Sequence, residues 1–302
     1  SYWRGYIREK RWGFSTQTIA GWFGDRAKGL AVSLVLSAVI LTALVGLGRA
    51  LPSTWPAAAA PAAAVLVLVL SFVAPVLLEP IFNRFVPLED TELVTALRDL
   101  SVQAGVPVRE VLVADASRRT RKENAYVSGL GATRRVVLYD TLLARGEPRQ
   151  VRLVVAHELG HRRLRHVAAG TVLAVGGIVA AVLVLWGALH VDAVRSAASV
   201  TGVGDPRVVP FVFLVGAVLQ VVGLPAGTAL SRRWERAADR FSLDLTEDPS
   251  IFEESHRALA VSNLSDLAPP RLIYLLLFTH PTPTERIAMA RGWRRPPAEA
   301  NA

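Results

Sequence analysis

Cysteine is absent from the 302 residues of the chain, and lysine is scarce. Without cysteine the chain forms neither disulfides nor thiolate metal sites, so any metal must be bound by histidine and carboxylate side chains. Lys10, Lys28 and Lys122 are the only lysines, so the net charge of +9 comes almost wholly from arginine. The residues after Ser1 are aromatic and basic, and they lack the apolar region that a signal peptide would place there. We expect further sequence to precede Ser1.

Long apolar runs dominate the rest of the composition. Hydrophobic residues make up 52% of the chain and the mean hydropathy is +0.36, which is too apolar for an ordinary soluble domain. Four runs without a charged residue are long enough to cross a bilayer, at residues 30–48, 57–78, 167–189 and 208–230. Buried helices of a large soluble protein fit less well, because charged residues flank each run. We therefore predict a mainly α-helical, multi-pass membrane protein.

The arginines cluster near the ends of these runs. Arg162, Arg163 and Arg165 precede the third run, and Arg232 and Arg233 follow the fourth. Four spans would leave both termini and the polar segment on one side, and the arginine excess marks that side as cytoplasmic. The positive-inside rule thus explains the basic balance, and we expect no nucleic-acid partner. The arginine and alanine bias is typical of a GC-rich gene and favours a bacterial cell membrane.

The order of polar and apolar segments predicts two parts. Residues 1–79 would contain an interfacial segment and two spans, and residues 80–302 a polar domain with the other two spans. In the polar domain Asp90 can cap a helix at 91–104, and apolar runs at 109–114, 124–130 and 134–139 predict strands. Pro148 is typical of a helix start and predicts a helix that extends to about His166.

A metal-binding pattern lies in that last helix, at His157-Glu158-Leu159-Gly160-His161. Residues four apart share one helical face, so His157 and His161 can bind one ion while Glu158 reaches a water beside it. This is the His-Glu-x-x-His arrangement of zinc peptidases. A chance match, with a solvated His/Glu pair on a surface helix, is the alternative.

A second pair of residues has the same spacing. Glu235 and Asp239 lie four apart, so Glu235 could be the third ligand and Asp239 could accept the free ring N–H of a ligand histidine. His166 follows His157 by nine residues, which predicts a position about 180° around a continuous helix, at the membrane interface. His190 and His256 have no partner pattern and are predicted to be surface residues.

Several motifs together resemble the integral-membrane zinc endopeptidase family of CAAX prenyl protease 1. The resemblance extends from about Lys10 to Arg291. It rests on the His157–His161 pattern, on Ser231-Arg232-Arg233-x-Glu235-x-x-Ala238-Asp239 and on His280-Pro281-x-x-x-x-Arg286, and further on Pro80-Ile81-Phe82-Asn83-Arg84-Phe85, Asn124-Ala125-Tyr126 and residues 135–143. Membrane peptidases of the HtpX kind share the zinc motifs, but the match over residues 80–143 favours the prenyl-protease branch.

The resemblance implies a fold and a site. The fold would be a barrel of seven membrane helices around a chamber, with a cytoplasmic, zincin-like subdomain that contains a small β-sheet. The chain has four predicted spans, so we expect the others upstream. One Zn²⁺ per chain would be bound by His157, His161 and Glu235. Asn124 and His280 would stabilise an oxyanion, Arg286 would support the site, and the strand from Asn124 through Ala125 and Tyr126 would pair with substrate.

Two classes of function remain open from the sequence. The leading hypothesis is a zinc endopeptidase that acts, by resemblance, near the C-terminus of prenylated substrates; a quality-control peptidase of the HtpX kind is its variant. The other class is a non-catalytic zinc-binding scaffold or transporter. That class leaves Glu158 without a role, and none of the four runs carries an ionisable residue at its centre, as a transport pathway often would.

Overall fold

The architecture described below is that of a computed structural model. It describes residues 2–77, 79–129 and 131–295. Leu78 and Leu130, which end two of the segments predicted above, and residues 296–302 of the tail lie outside the described residues.

Helices form most of the described chain, with one small sheet. The α-helices are α1 (Arg8–Arg11), α2 (Ile19–Ala50), α3 (Trp55–Leu77), α4 (Glu79–Phe82), α5 (Thr91–Gln103), α6 (Asp140–Arg145), α7 (Pro148–Arg163), α8 (His166–Ala188), α9 (Asp192–Ala198), α10 (Val209–Thr246), α11 (Pro249–Ser262), α12 (Arg271–Leu277) and α13 (Pro283–Gly292). The strands are β1 (Phe85–Pro87), β2 (Glu110–Ala114), β3 (Ala125–Ser128) and β4 (Arg135–Tyr139). A π-helical turn at Trp3–Ile7 and 3₁₀ turns at Ala116–Arg118, Gly131–Thr133 and Pro206–Val208 complete them.

One of two compact units contains the membrane helices, residues 18–74 and 168–224. The four helices α2, α3, α8 and α10 are long and apolar enough to cross a membrane, and each contains most of one predicted run. Their outer faces expose apolar side chains, such as Val172, Val221 and Val222, each 70% exposed. Such surfaces are stable against lipid and costly in water. The prediction of a multi-pass membrane protein is confirmed.

The other unit contains residues 1–17, 75–167 and 225–302, and with them the sheet. Its strand order is β1-β2-β4-β3; β2 and β4 are parallel, and the other two pairs are antiparallel. Valine and leucine occupy three consecutive positions in β2 and in β4, as is common in central strands with both faces covered, and the paired residues include Val111 and Val136. The three predicted strands are present within one or two residues of their expected ends, whereas β1 was not predicted.

Helices α5 and α7 pack against this sheet. Asp90 caps α5 by accepting a 2.9 Å hydrogen bond from the Leu93 amide, as predicted. Leu97 and Leu100 of α5 and Val155 and Leu159 of α7 bury their side chains with those of the strands in one core cluster. Burial of this apolar face leaves the motif histidines, which are only partly buried, on another face of α7.

The predicted end of α7 is wrong. The helix ends at Arg163, Arg165 adopts a left-handed conformation with φ of 57°, and a new helix, α8, begins at His166. The left-handed region costs roughly 1–2 kcal/mol for a residue other than glycine, so such residues adopt it rarely. An arginine in the sequence therefore does not indicate a break in the helix. His166 therefore does not continue the angular progression of α7.

Gly160 allows α7 and α10 to approach each other closely. A Cβ atom at Gly160 would lie 3.0 Å from Cδ1 of Phe241 and 3.3 Å from Cα of Ala238. The absence of a side chain thus brings the motif helix against the helix of Glu235 and Asp239.

We expect Gly160→Ala to lower the stability of the protein, because the new methyl group overpacks this contact at a cost of about 1–3 kcal/mol. Gly176→Ala in α8 is the matched control, because a Cβ there meets nothing within 4 Å. The control should be neutral or slightly stabilising. Thermal unfolding of both variants in the same detergent measures the difference, and equal melting temperatures would contradict the prediction.

Candidate metal centre

Three donor side chains converge between α7 and α10. The Nε2 atoms of His157 and His161 lie 3.1 Å apart. Glu235 places Oε2 3.4 Å from Nε2 of His157 and Oε1 3.3 Å from Nε2 of His161. Tetrahedral ligands at zinc distances of about 2.0–2.1 Å would be separated by roughly 3.3 Å. The spacing and the donor types of these residues therefore fit one zinc ion with an open position.

Asp239 lies one helical turn beyond Glu235 and is completely buried. Its Oδ1 is 2.9 Å from Nδ1 of His157, and its Oδ2 is 3.0 Å from Nε of Arg286. A carboxylate in this position accepts the second ring N–H of His157 and directs the lone pair of Nε2 towards the metal position. This is the arrangement that the spacing of Glu235 and Asp239 predicts.

Arg286, on α13, joins the two carboxylates. Its Nη2 donates a 2.7 Å hydrogen bond to Oε2 of Glu235, while its Nε faces Asp239. Only 14% of its side chain is exposed, so the guanidinium offsets two poorly hydrated negative charges. Arg286 thus contacts the donor carboxylate of Glu235 and the carboxylate of Asp239, which is not a donor.

His256 belongs to the same cluster, which corrects the prediction that it is a surface residue. Its Nε2 lies 3.1 Å from Nη1 of Arg286 and its Nδ1 lies 2.9 Å from the carbonyl of Phe252. Since arginine can only donate, Nε2 accepts and Nδ1 carries the proton. Burial, reinforced by the charge of Arg286, lowers the pKa of His256 to about 4, which keeps it neutral. No spacing in the sequence connects His256 with the motif; His190, by contrast, is exposed as predicted.

His166 also contacts the cluster, and its predicted separation from the motif is wrong. Its Nδ1 lies 3.0 Å from Nδ1 of His161, and its side chain is buried against Trp234. The nine-residue separation places His166 opposite His157 only in one continuous helix, whereas the break at Arg165 turns the chain back towards the motif.

Glu158 lines a cavity of about 260 Å³ beside the three donors. Phe252 and Leu259 provide apolar walls. Burial raises the pKa of Glu158, and the neighbouring His157 and His161 partly oppose that rise. A carboxyl group with a raised pKa accepts a proton more readily than an ordinary carboxylate, as a general base must.

Asn124 and His280 line this cavity too. Nε2 of His280 lies 3.3 Å from Oε2 of Glu235, and its Nδ1 lies 2.9 Å from the hydroxyl of Thr279. The carbonyl of Asn124 accepts a hydrogen bond from the Tyr139 amide. The Asn124 backbone is thus joined to the sheet, and the residue also borders the cavity. Both predicted oxyanion residues are thus near the donor cluster.

The edge strand β3 is attached to α7 by a residue that the sequence did not single out. Arg162, next to His161, donates hydrogen bonds from Nε, at 3.2 Å, and Nη2 to the carbonyl of Val127. In an antiparallel ladder the backbone groups alternate in direction, so Asn124 and Tyr126 face β4 whereas Ala125 and Val127 face outwards. Of the three residues predicted to pair with a peptide, Ala125 has the outward backbone groups.

Comparison with known proteins gives matches over almost the whole chain. The family model "Peptidase family M48" matches residues 87–294, and the model "CAAX prenyl protease N-terminal, five membrane helices" matches residues 1–84. An uncharacterized metalloprotease, YhfN, of Bacillus subtilis is 30% identical over 99% of this chain and 71% of its own length. The CAAX prenyl protease 1 homolog of Taenia solium is 27% identical over 95% of this chain and 67% of its own length.

Two further matches concern yeast proteins. CAAX prenyl protease 1 of Saccharomyces cerevisiae is 31% identical over 55% of this chain and 37% of its own length. The crystal structure of S. mikatae Ste24p superposes with a TM-score of 0.87 at 24% identity, over 97% of this chain and 71% of that one. The last likeness concerns the fold alone.

The electrostatics of the cluster predict how metal binding depends on pH. In metal-free protein, burial lowers the pKa of His157, but the carboxylates of Asp239 and Glu235 outweigh it and raise this pKa to about 10. Below pH 10 a metal must therefore displace a proton from His157. Between pH 7.5 and 9 we expect zinc affinity to rise about tenfold per pH unit, since ordinary histidines are already neutral there.

Competition with a zinc chelator of known pH dependence measures this slope. Asp239→Asn removes the carboxylate that favours the protonated imidazole, so its slope should be shallower. His190→Ala, at an exposed histidine, should leave the slope unchanged. An affinity that is independent of pH in the wild-type protein would contradict the prediction.

Proposed function

Because the chain belongs to peptidase family M48 and is a multi-pass membrane metallopeptidase, we propose that it is a zinc endopeptidase with His157, His161 and Glu235 as ligands. The observation that carries this proposal is the 3.1–3.4 Å spacing of the three donor pairs. The donor set contains two imidazoles and one carboxylate and leaves a coordination position for water or substrate, as in catalytic zinc sites.

Zinc bound there would polarise the scissile carbonyl and acidify a water molecule. Glu158 takes the proton of the attacking water and later delivers it to the leaving amine. Burial raises the pKa of Glu158, which favours the protonated form that returns the proton to the amine. Glu158 is therefore the proposed catalytic base and acid.

His280 and Asn124 are the proposed donors to the developing oxyanion. The Thr279 hydroxyl can donate to Nδ1 of His280, which leaves the proton on Nε2, the atom nearer Glu235. A donor of this kind in a partly dehydrated cavity is typically worth 10²–10³-fold in turnover. Arg286 acts as a positioning residue in this proposal, since its hydrogen bond goes to the ligand Glu235 and its ion pair to Asp239.

The proposed substrate is an extended peptide that pairs with the outward backbone groups of Ala125, beside Asn124 and Tyr126. Several relatives are CAAX prenyl proteases by name, which suggests a prenylated cysteine near the C-terminus of that substrate. We further propose residues 80–302 as the peptidase domain, a cytoplasmic position for the site and a bacterial cell membrane. A quality-control peptidase of the HtpX kind is the alternative within the same chemistry.

The Glu158→Gln variant tests the mechanism. It should retain about one zinc per chain, because Glu158 is not a proposed ligand, and its kcat should fall by about 10²–10⁴-fold with loss of the general base. Peptide cleavage and metal content are measured on the same preparations, with and without a chelator. Glu123→Gln is the matched control, because Glu123 lines the same cavity but has no proposed role. Wild-type turnover by Glu158→Gln would rule out this mechanism.

A pair of peptides tests the substrate class. One carries a farnesylated cysteine near its C-terminus and the other the same cysteine with an S-methyl group. Burial of as few as two methylene groups would favour the farnesylated peptide about tenfold in kcat/KM, at about 0.8 kcal/mol each. Equal cleavage of both peptides would reject prenyl recognition and support the quality-control alternative, whereas cleavage of neither would reject the endopeptidase proposal.

A further inference from the structure

The two ligand histidines have different partners at their second ring nitrogens. Nδ1 of His157 faces the carboxylate of Asp239 at 2.9 Å. Nδ1 of His161 faces another imidazole, that of His166, at 3.0 Å between the two Nδ1 atoms. The carboxylate is a common partner of a metal-binding histidine, whereas the second imidazole needs an explanation.

His166 is held in place from two sides. It is the first residue of α8, directly after the left-handed Arg165, and only 8% of it is exposed. Its ring stacks on that of Trp234, with centroids 5.2 Å apart and planes 12° apart, and meets the His161 ring edge-on at 5.1 Å. Trp234 precedes the ligand Glu235 in the chain, so His166 packs against the residue next to one ligand while it contacts another.

We propose that His166 is a positioning residue that fixes the tautomer and the orientation of the ligand His161. The inference rests on the proposed function in that it takes Nε2 of His161 as a metal ligand. Nε2 must then offer a lone pair, so the proton of a neutral His161 is on Nδ1. At 3.0 Å that N–H is donated to Nδ1 of His166, which carries its own proton on Nε2.

The neutral imidazole of His166 accepts this hydrogen bond without adding charge to a cluster that already contains several carboxyl groups. Glu158, Glu235 and Asp239 already bring three carboxyl groups to the cluster, and Arg286 is shared between two of them. A carboxylate in place of His166 would add a further negative charge to a poorly hydrated site. The imidazole orients His161 without that charge, and the stack on Trp234 limits its rotation.

Zinc retention tests the role with a readout other than activity. His166→Phe keeps an aromatic ring for Trp234 but cannot accept a hydrogen bond, whereas His166→Asn keeps an acceptor but loses the ring. Loss of such an outer partner typically weakens metal binding 10–100-fold. We therefore expect His166→Phe to release zinc to a chelator about 10–100-fold faster than wild type, and His166→Asn to release it more slowly than His166→Phe.

A control variant and a second measurement separate a role of His166 from a general effect of the substitution. His190→Phe replaces an exposed histidine just beyond the other end of α8 and should release zinc as the wild type does. With cobalt in place of zinc, His166→Phe should shift the visible absorption bands, because the orientation of His161 changes. Unchanged release and unchanged bands in His166→Phe would overturn the inference, whereas a wild-type protein that binds no zinc would overturn the proposed function instead.

A measurement on the wild-type protein does not depend on whether the variants fold. Long-range ¹H–¹⁵N spectra of histidine-labelled, zinc-loaded protein report which ring nitrogen carries each proton. The inference requires a proton on Nδ1 of His161 and on Nε2 of His166. A proton on Nδ1 of His166 would contradict it.

Discussion

The buried carboxylate of Asp239 is the constraint on which the rest of the site depends. It is completely buried, and an uncompensated charge in that environment would cost several kcal/mol. Its compensation comes from His157 on α7 and Arg286 on α13, while its own helix, α10, carries Glu235. His256 adds a contact from α11 through Arg286. One buried charge thus connects four helices, α7, α10, α11 and α13, and loss of a partner would disturb all of them.

Close packing sets the distance between α7 and α10. Both use a spacing of four residues, with two histidines on α7 and two carboxylates on α10, so the pairs face each other over one turn. Gly160 permits the backbones to approach so closely that a Cβ atom would lie only 3.0–3.3 Å from its neighbours. Arg162 extends the same helix to the edge strand β3 through the Val127 carbonyl. The donor cluster and the strand beside it are therefore parts of one packed unit.

The sequence predicted those parts of the fold and site that depend on local periodicity. The spans follow from composition, and His157, His161, Glu235 and Asp239 share helical faces because each pair lies four residues apart. Arg162, His256 and β1 were missed because their partners come from distant segments, and no local pattern encodes a contact across the chain. His166 was misplaced for a different reason. Its position depends on one backbone conformation, at Arg165, that helical periodicity does not anticipate.

The left-handed conformation of Arg165 also determines where His166 lies. If α7 continued, His166 would lie about 180° from His157 and could not reach His161. The left-handed Arg165 costs roughly 1–2 kcal/mol, yet it starts α8 with the His166 ring against Trp234 and beside His161. The break between the two helices thus contributes to the donor cluster, because it places the His166 imidazole beside Nδ1 of His161.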